Sequence, residues 1–330
     1  MRTDGFNFFA PDTLKEAFQK KNQVVNSSYL AGGTDFIPLL KYNLKAPVAI
    51  ISLANLDELK RIDPIEKGIR IGSMVTLREI ADSALVATRF PSLVKAARRV
   101  ATPQIRNSAT IGGNILQDRR CIYFNQSSQW RENLAPCFKI GGDVCHQAPR
   151  SPVCKALYYS DIAPVLISLD ATAIIFDGIR REIPIDDLIA SHIEINGLIQ
   201  SQDFIIEGFF IPECKPGALA EFQKQSLRDS LNFPIINMAF KFTPDSVQPG
   251  LRIIVGAVAP EPIELTETQS KILTTLNSLS KERDDIEKQA LAELTQKSAL
   301  VREAGLSIKT KRNSFSNILD LIDKITAIFD

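Results

Sequence analysis

Histidine is nearly missing from this chain, with two in 330 residues beside one tryptophan and three methionines. A His-based catalytic site or a His-rich metal site therefore has almost nothing to draw on. Neither charge is in excess: 39 Lys and Arg face 38 Asp and Glu. That balance excludes the basic footprint of a nucleic-acid binder and an acidic solvating tail. Long apolar runs are missing as well. The longest stretches, such as Ile167 to Phe176, are interrupted (here by Asp170) and too short to span a bilayer. The opening MRTDGFNFFAPDTL holds no apolar signal core, and the expectation is a cytoplasmic protein with no membrane segment. What is present, 45% hydrophobic residues over this length, suffices for a sizeable core and about two domains.

Local pattern divides the chain into alternating short strands and helices. Thr13 to Lys20 follows Pro11-Asp12 and reads as a helix. Ser28 to Ala31 reads as a strand running into Gly32-Gly33. Asp35 to Lys45 reads as a helix with Pro38 in its first turn, and Val48 to Ile51 as a buried strand. Strand, glycine turn, helix, strand is the outline of a βαβ unit. Gly68 to Gly72 reads as an edge strand, and Met74 to Ala81 and Phe90 to Val100 as helices. Thr110 to Ile115 forms a second glycine turn, and Arg119 to Arg150 is irregular and polar. Asp161 to Phe176 reads as helix then strand, and Phe204 to Ile211 as a strand. Beyond Pro212, strands are expected at Ala220 to Leu227, Ile235 to Phe242 and Leu251 to Val258. Glu264 to Arg302 carries apolar residues at helical spacing, and Asn317 to Phe329 reads as an amphipathic helix.

The two glycine turns carry the first chemistry. In Tyr29 to Phe36 (YLAGGTDF) the glycines let backbone approach an anion, with consecutive N–H groups and a helix start facing it. The plainer reading is a tight βα turn with Thr34 or Asp35 as the helix cap. Neither a GxGxxG nor a Gly-Lys-Ser/Thr phosphate loop is present. A second such turn at Thr110 to Ile115 points to a diphosphate held between the two; two unrelated turns are the alternative.

The cysteines carry the second. Cys121, Cys137, Cys145 and Cys154 are spaced C-x15-C-x7-C-x8-C, with Cys214 apart from them. Clustered thiols in a chain without a secretion signal point to metal or redox chemistry rather than disulfides. Four thiolates can enclose a tetrahedral zinc or an iron–sulfur cluster. Zinc sites favour C-x2-C pairs, and none occurs; wide single spacings suit a cubane. Gly141 and Gly142 allow the loop to bend around it, and Arg119, Arg120 and Lys139 offset its charge. A structural zinc or four free core thiols are the alternatives. Cys214 reads as a plain thiol, and His146 as a supporting or surface group rather than a ligand.

Five segments in order extend the pattern beyond spacing. Ala31 to Asp35 (AGGTD), Ile71 to Leu77 (IGSMVTL), Ser108 to Ile115 (SATIGGNI), Ser160 to Pro164 (SDIAP) and Gly256 to Pro260 (GAVAP), with Phe222 to Arg228, resemble the FAD-binding (medium) subunit of the xanthine dehydrogenase, carbon monoxide dehydrogenase and wider molybdenum hydroxylase family. The resemblance covers about residues 1 to 265 well and the C-terminal helices loosely. It implies an α+β fold: a PCMH-type (vanillyl-alcohol-oxidase-like) FAD-binding domain of two α/β subdomains, then a C-terminal α/β domain as in carbon monoxide dehydrogenase flavoproteins. The implied boundaries are 1–212 (subdomains about 1–60 and 61–212, with an insert at 117–158) and 213–330.

By that resemblance Leu30, Ala31, Gly32, Gly33, Thr34, Asp35 and Phe36 wrap the FAD pyrophosphate. Thr110, Ile111, Gly112, Gly113 and Asn114 form the second loop, and Ala101 lies by the adenine. Asp161 matches a position that binds the flavin's polar edge or ribityl chain, and Lys224 one near the ring; a solvated strand residue is the alternative for Lys224. Only Arg228 remains of an Arg-rich stretch, and Asn232-Phe233-Pro234 replaces its acidic continuation.

Most members of that family run directly from Gly-Gly-Asn to the Asp-x-Ala-Pro helix, without the cysteine insert. Its Arg120-Cys121-x-Tyr123-Phe124-Asn125-Gln126-Ser127, Trp130-Arg131, Cys137-x-Lys139, Gly142-x-x-Cys145-His146 and Cys154 resemble the β subunit of 4-hydroxybenzoyl-CoA reductase, which carries a 4Fe-4S cluster besides FAD. A related insert occurs in some bacterial aldehyde oxidoreductases. The implied protein is an electron-transfer subunit without its own catalytic residues, acting in the reductive dehydroxylation of an aromatic acyl-CoA. Its partners would be a molybdopterin-binding large subunit, a small subunit with two 2Fe-2S clusters and a ferredoxin-like donor, in a dimer of heterotrimers. An aldehyde or N-heterocycle hydroxylase is the alternative, with electrons flowing the other way. A zinc-stapled interaction protein and a stand-alone flavin oxidase are the readings from other classes.

Overall fold

The computed structural model describes residues 5–192, 204–228, 232–244, 248–299, 301 and 307–327. Its first layer is a parallel three-stranded sheet: β1 (Asn7–Phe9), β2 (Ser27–Leu30) and β3 (Ala49–Ser52), in the order β1-β3-β2. Helix Leu14–Gln23 begins at Thr13, whose Oγ1 accepts the Glu16 N–H at 3.2 Å, and it buries Leu14 and Ala17. Those side chains pack with Ile51, Leu53 and Leu59. The strand–turn–helix–strand outline is therefore the observed βαβ unit. Helix Phe36–Lys41 is shorter than the expected Asp35 to Lys45, because Asn43 adopts a left-handed φ of 52° and ends it.

A five-stranded antiparallel sheet follows, of β4 (Ile62–Ile65), β5 (Gly68–Gly72), β6 (Thr172–Phe176), β7 (Arg180–Pro184) and β8 (Ile205–Pro212), ordered β4-β5-β8-β6-β7. This corrects the edge-strand expectation for Gly68 to Gly72: β5 is hydrogen-bonded on both sides. Its half-polar look comes from Arg70, which turns out of the core to reach Glu207 at 3.4 Å. Helix Pro91–Arg99 lays Leu93, Val94, Ala96 and Ala97 into the same core as Ile69, Ile71, Phe209 and Ile211. The helix expected from Met74 begins only at Leu77. Thr76 sets that start with a reciprocal cap: its Oγ1 accepts the Glu79 N–H and Glu79 Oε2 accepts its own. Ser83 caps a further helix, Ala84–Arg89, absent from the sequence expectation.

The third sheet is antiparallel: β9 (Leu219–Gln225), β10 (Ile236–Thr243), β11 (Gly250–Gly256) and β12 (Ile263–Glu264), ordered β12-β11-β10-β9. Alternation along β10 divides its faces. Ile236, Met238, Phe240 and Phe242 pack with Ile318, Leu321, Ile322 and Ile325 of helix Ile318–Thr326. Ala239, with Phe222 and Ile254, joins the core of the five-stranded unit. The helical stretch expected from Glu264 divides into helices Thr266–Thr274 and Leu279–Lys297 around a 3-10 turn. The expected ends of the last two helical stretches, Arg302 and Phe329, lie outside the described residues. No helix among the described residues is long and apolar enough to cross a membrane.

Candidate functional site

The two glycine turns meet at one cleft of about 850 Å³. The first follows β2 directly. A Cβ on Gly32 would stand 1.7 Å from the Ser108 carbonyl oxygen, so only glycine lets the two turns touch. Gly33 has a φ of 72°, a conformation that costs other residues about 1–2 kcal/mol. The backbone N–H groups of Gly32, Gly33, Thr34 and Asp35 reach no acceptor among the described residues. Four free donors on the rim of a cleft, ahead of a helix start, form a cradle for an anion.

The second turn differs. Its N–H groups are already used: Ile111 donates to Val75 O and Gly112 to Ser73 O, both at 2.9 Å. Gly113 donates to Thr110 Oγ1 at 3.2 Å. Residues Ile111–Ile115 are thus a short capped helix rather than an open loop. The turn offers the cleft its side chains instead. Asn114 is fixed by Ser160, whose hydroxyl donates to Asn114 Oδ1 at 2.5 Å.

Of the residues singled out from sequence, Ala31, Gly32, Gly33, Thr34, Asp35, Phe36, Ala101, Thr110, Gly112, Gly113 and Asn114 line this cleft. Leu30 and Ile111 do not; Ile111 lies wholly in the core. Ala101 holds a left-handed φ of 43°, and Arg106 Nη1 donates to the carbonyls of Ala101 and Val100 at 2.8 Å each. Arg106 itself gave no signal in the sequence, since its role depends on a backbone bend.

Asp161 and Lys224 also lie outside the lining. They are buried against each other, Nζ to Oδ2 at 2.7 Å. Lys224 Nζ donates further to Arg99 O at 2.7 Å, and Asn237 Nδ2 donates to Asp161 Oδ1 at 2.7 Å. Burial pushes the Asp161 carboxyl up, against the opposing pull of Lys224 and Asn237. Lys224 is no solvated strand residue.

The cysteine insert leaves and rejoins the fold at one antiparallel bridge, Arg120 to Leu157, with N–H···O bonds of 2.8 and 3.0 Å. Cys121, Cys145 and Cys154 pack in a knot with Phe138 and Ala156. Cys137 stands next to Phe138 and bridges to Val144, the neighbour of Cys145. All are free thiols, as is Cys214. Burial pushes the Cys121 and Cys154 thiols up; backbone N–H groups of Phe124 and Tyr123 pull Cys121 back, and that of Ala156, with Arg119 and Lys139, pulls Cys154 back. Arg120 turns away to pair with Asp35 of the first glycine turn. His146 Nε2 donates to Ala135 O at 2.8 Å. Among the described residues no three His, Cys, Asp or Glu converge on a single metal ion. A zinc with Zn–S bonds of about 2.3 Å needs such convergence.

Gln117, Asp118, Arg120, Phe124 and Lys139 of the insert form a wall of the cleft, a relation the sequence did not signal. Lys139 is buried between the two sites: its Nζ pairs with Asp118, donates to Arg119 O at 3.1 Å, and lies 4.6 Å from the Phe124 ring centroid.

A cleft joining two glycine turns, with free backbone donors on one of them, has the form of a site for an elongated anionic ligand. Residues 4–214 match the model of the FAD binding domain in molybdopterin dehydrogenase, and the chain belongs to that family. It is thus an FAD-binding protein of the oxidoreductases. The aldehyde oxidoreductase FAD-binding subunit PaoB of Escherichia coli is 29% identical over 279 residues, covering 80% of this chain and 85% of that one. The nicotinate dehydrogenase FAD-subunit of Eubacterium barkeri is 38% identical over 112 residues, covering 33% of this chain and 38% of that one. Carbon monoxide dehydrogenase from Hydrogenophaga pseudoflava has a chain of the same fold, with a TM-score of 0.74 at 19% identity, covering 100% of this chain and 99% of that one.

Proposed function

We propose that this chain is the FAD-binding electron-transfer subunit of a cytoplasmic molybdenum-dependent oxidoreductase complex. Its partners are a molybdopterin-binding large subunit and a small subunit with two 2Fe-2S clusters, assembled as a dimer of heterotrimers. The observation that carries the reading is the first glycine turn, whose four residues with unused N–H groups line a cleft shared with the second. FAD, when bound, supplies a carrier that takes two electrons and passes them singly. Gly32 to Asp35 hold its diphosphate through backbone N–H, and Ala31, Phe36, Ala101, Thr110, Gly113 and Asn114 shape the rest of the cleft. Leu30, Ile111, Asp161 and Lys224 act from behind the wall, fixing the turns rather than touching the ligand.

In the same proposal Cys121, Cys137, Cys145 and Cys154 hold a 4Fe-4S cluster. The donor set supports it: four thiols on one closed excursion, three already packed together, with Arg119 and Lys139 beside them. A cubane takes one thiolate at each of its four corners, which matches the four-cysteine donor set.

For the substrate, the aldehyde or N-heterocycle hydroxylase reading has the broader support. The relative aligned over 80% of the chain is an aldehyde oxidoreductase subunit. The motifs of the insert favour a second reading, a 4-hydroxybenzoyl-CoA reductase-like enzyme fed by a ferredoxin-like donor. The two predict opposite electron flow, so anaerobic flavin bleaching of the complex by an aldehyde, against bleaching by reduced ferredoxin, separates them.

The test of the whole is an anaerobic absorption spectrum of the purified chain, with iron, zinc and flavin assayed on the same sample. Flavin bands over a broad shoulder, with about four irons per flavin, are expected. Flavin with zinc or without iron removes the cluster, and a colourless protein from anaerobically grown cells removes the flavin.

A further inference from the structure

Lys45 lies in the loop after helix Phe36–Lys41, and its side chain returns to the cleft. The ammonium stands 5.8 Å from the ring centroid of Phe36, the last residue of the first glycine turn. Four cations line the cleft: Lys21, Lys45, Arg120 and Lys139. Arg120 is paired with Asp35, and Lys139 with Asp118. Lys21 lies in the last turn of helix Leu14–Gln23, and its carbonyl accepts from Ser27 at the start of β2. Ser27 is five residues, about 17 Å of strand, from Gly32. Lys45 is therefore the cation beside the first turn that has no ion-pair partner among the described residues. Burial pushes its ammonium down, and the fields of Asp118 and Asp35 oppose this only in part. Lys45 is half-buried and bonds no carboxylate among the described residues, so its ammonium is open to an anionic ligand in the cleft.

We propose that Lys45 is the side-chain cation of the diphosphate cradle, meeting the anion that the free N–H groups of Gly32 to Asp35 receive. The inference rests on the FAD reading above and adds a specific residue to it. Lys45 is then a binding residue whose contact is with charge, so it acts on affinity and leaves the chemistry of the flavin ring alone.

The test is titration of the flavin-free full-length chain with FAD, for wild type, Lys45→Met and Lys45→Arg, at low and high ionic strength. A charge-assisted contact predicts a Kd about ten- to a hundredfold higher in Lys45→Met. It also predicts a flatter dependence of Kd on salt in that variant, near-normal binding in Lys45→Arg, and an unchanged midpoint potential of the bound flavin. Binding by Lys45→Met within twofold of wild type would overturn the proposal. So would equal weakening in both variants with matching loss of thermal stability, which marks a packing role, or a shifted flavin potential, which places the ammonium at the ring. Wild-type chain that binds no FAD would remove the flavin reading itself, a result distinct from any difference among the variants.

Discussion

Asp161 and Lys224 neutralise each other inside the protein, 2.7 Å apart and both nearly inaccessible to water. The pair joins β9 to the segment that holds Asn114 through Ser160. Lys224→Met would strand a buried carboxylate, and a stability loss of about 3–5 kcal/mol is expected in urea unfolding. Adding Asp161→Asn should recover part of it, because the double variant leaves no lone charge. The absorption spectrum of the bound flavin should stay as in wild type in every variant that folds.

Gly32→Ala tests how closely the two turns approach. The new methyl would overlap the Ser108 carbonyl, a backbone atom with no rotamer to escape to. Expected are a loss of about 1–3 kcal/mol in stability and a weaker hold on FAD, read by unfolding and by flavin retention on gel filtration. Ser108→Ala should not rescue it, since the clash is with main chain.

Each of Cys121→Ser, Cys137→Ser, Cys145→Ser and Cys154→Ser should lower iron from about four per chain towards zero while FAD remains. Cys214→Ser should leave both unchanged. Iron retained in Cys137→Ser would reduce the ligand set to the three thiols that already pack together.

Glu293 carries the acid sensitivity of the C-terminal helices. It is buried, which pushes its carboxyl up, but Lys297, the Thr268 N–H and hydroxyl and the Glu267 N–H outweigh burial and hold it below the ordinary 4.5. A carboxyl with a depressed folded-state value contributes stability above its unfolded value and loses it as pH falls from about 4.5 through the lower folded one. Glu293→Gln should therefore lower stability at pH 7 by about 1.5–3 kcal/mol. It should lose less than wild type between pH 5 and pH 3, as read by urea midpoints.

Much of this was legible locally. The strand expectations at Ile235 to Phe242 and Leu251 to Val258 became β10 and β11, and Gly-Gly after an apolar strand marked the first turn, because strand preference and left-handed backbone are properties of a few neighbouring residues. The resemblance marked the cysteine segment as an insert, and the structure closes it at the bridge of Arg120 and Leu157. The N-terminal start of helix Leu77–Asp82 was also written nearby, in the Thr76 and Glu79 pair.

What the sequence by itself determined is most of the strands and helices and the places of the two glycine turns, which follow from short-range chemistry. Tertiary structure alone decided the partners. β5 became an inner strand because β8, over 130 residues later, lies along it. The second glycine turn gave its N–H groups to Ser73 and Val75, while those of Gly32 to Asp35 in the first reach no acceptor among the described residues. Asp161 found Lys224, and Lys45 was left in the cleft wall beside Arg120 and Lys139, both paired. Buried charges take whichever opposite charge the packed chain brings within about 3 Å, and that distance is set by the whole fold.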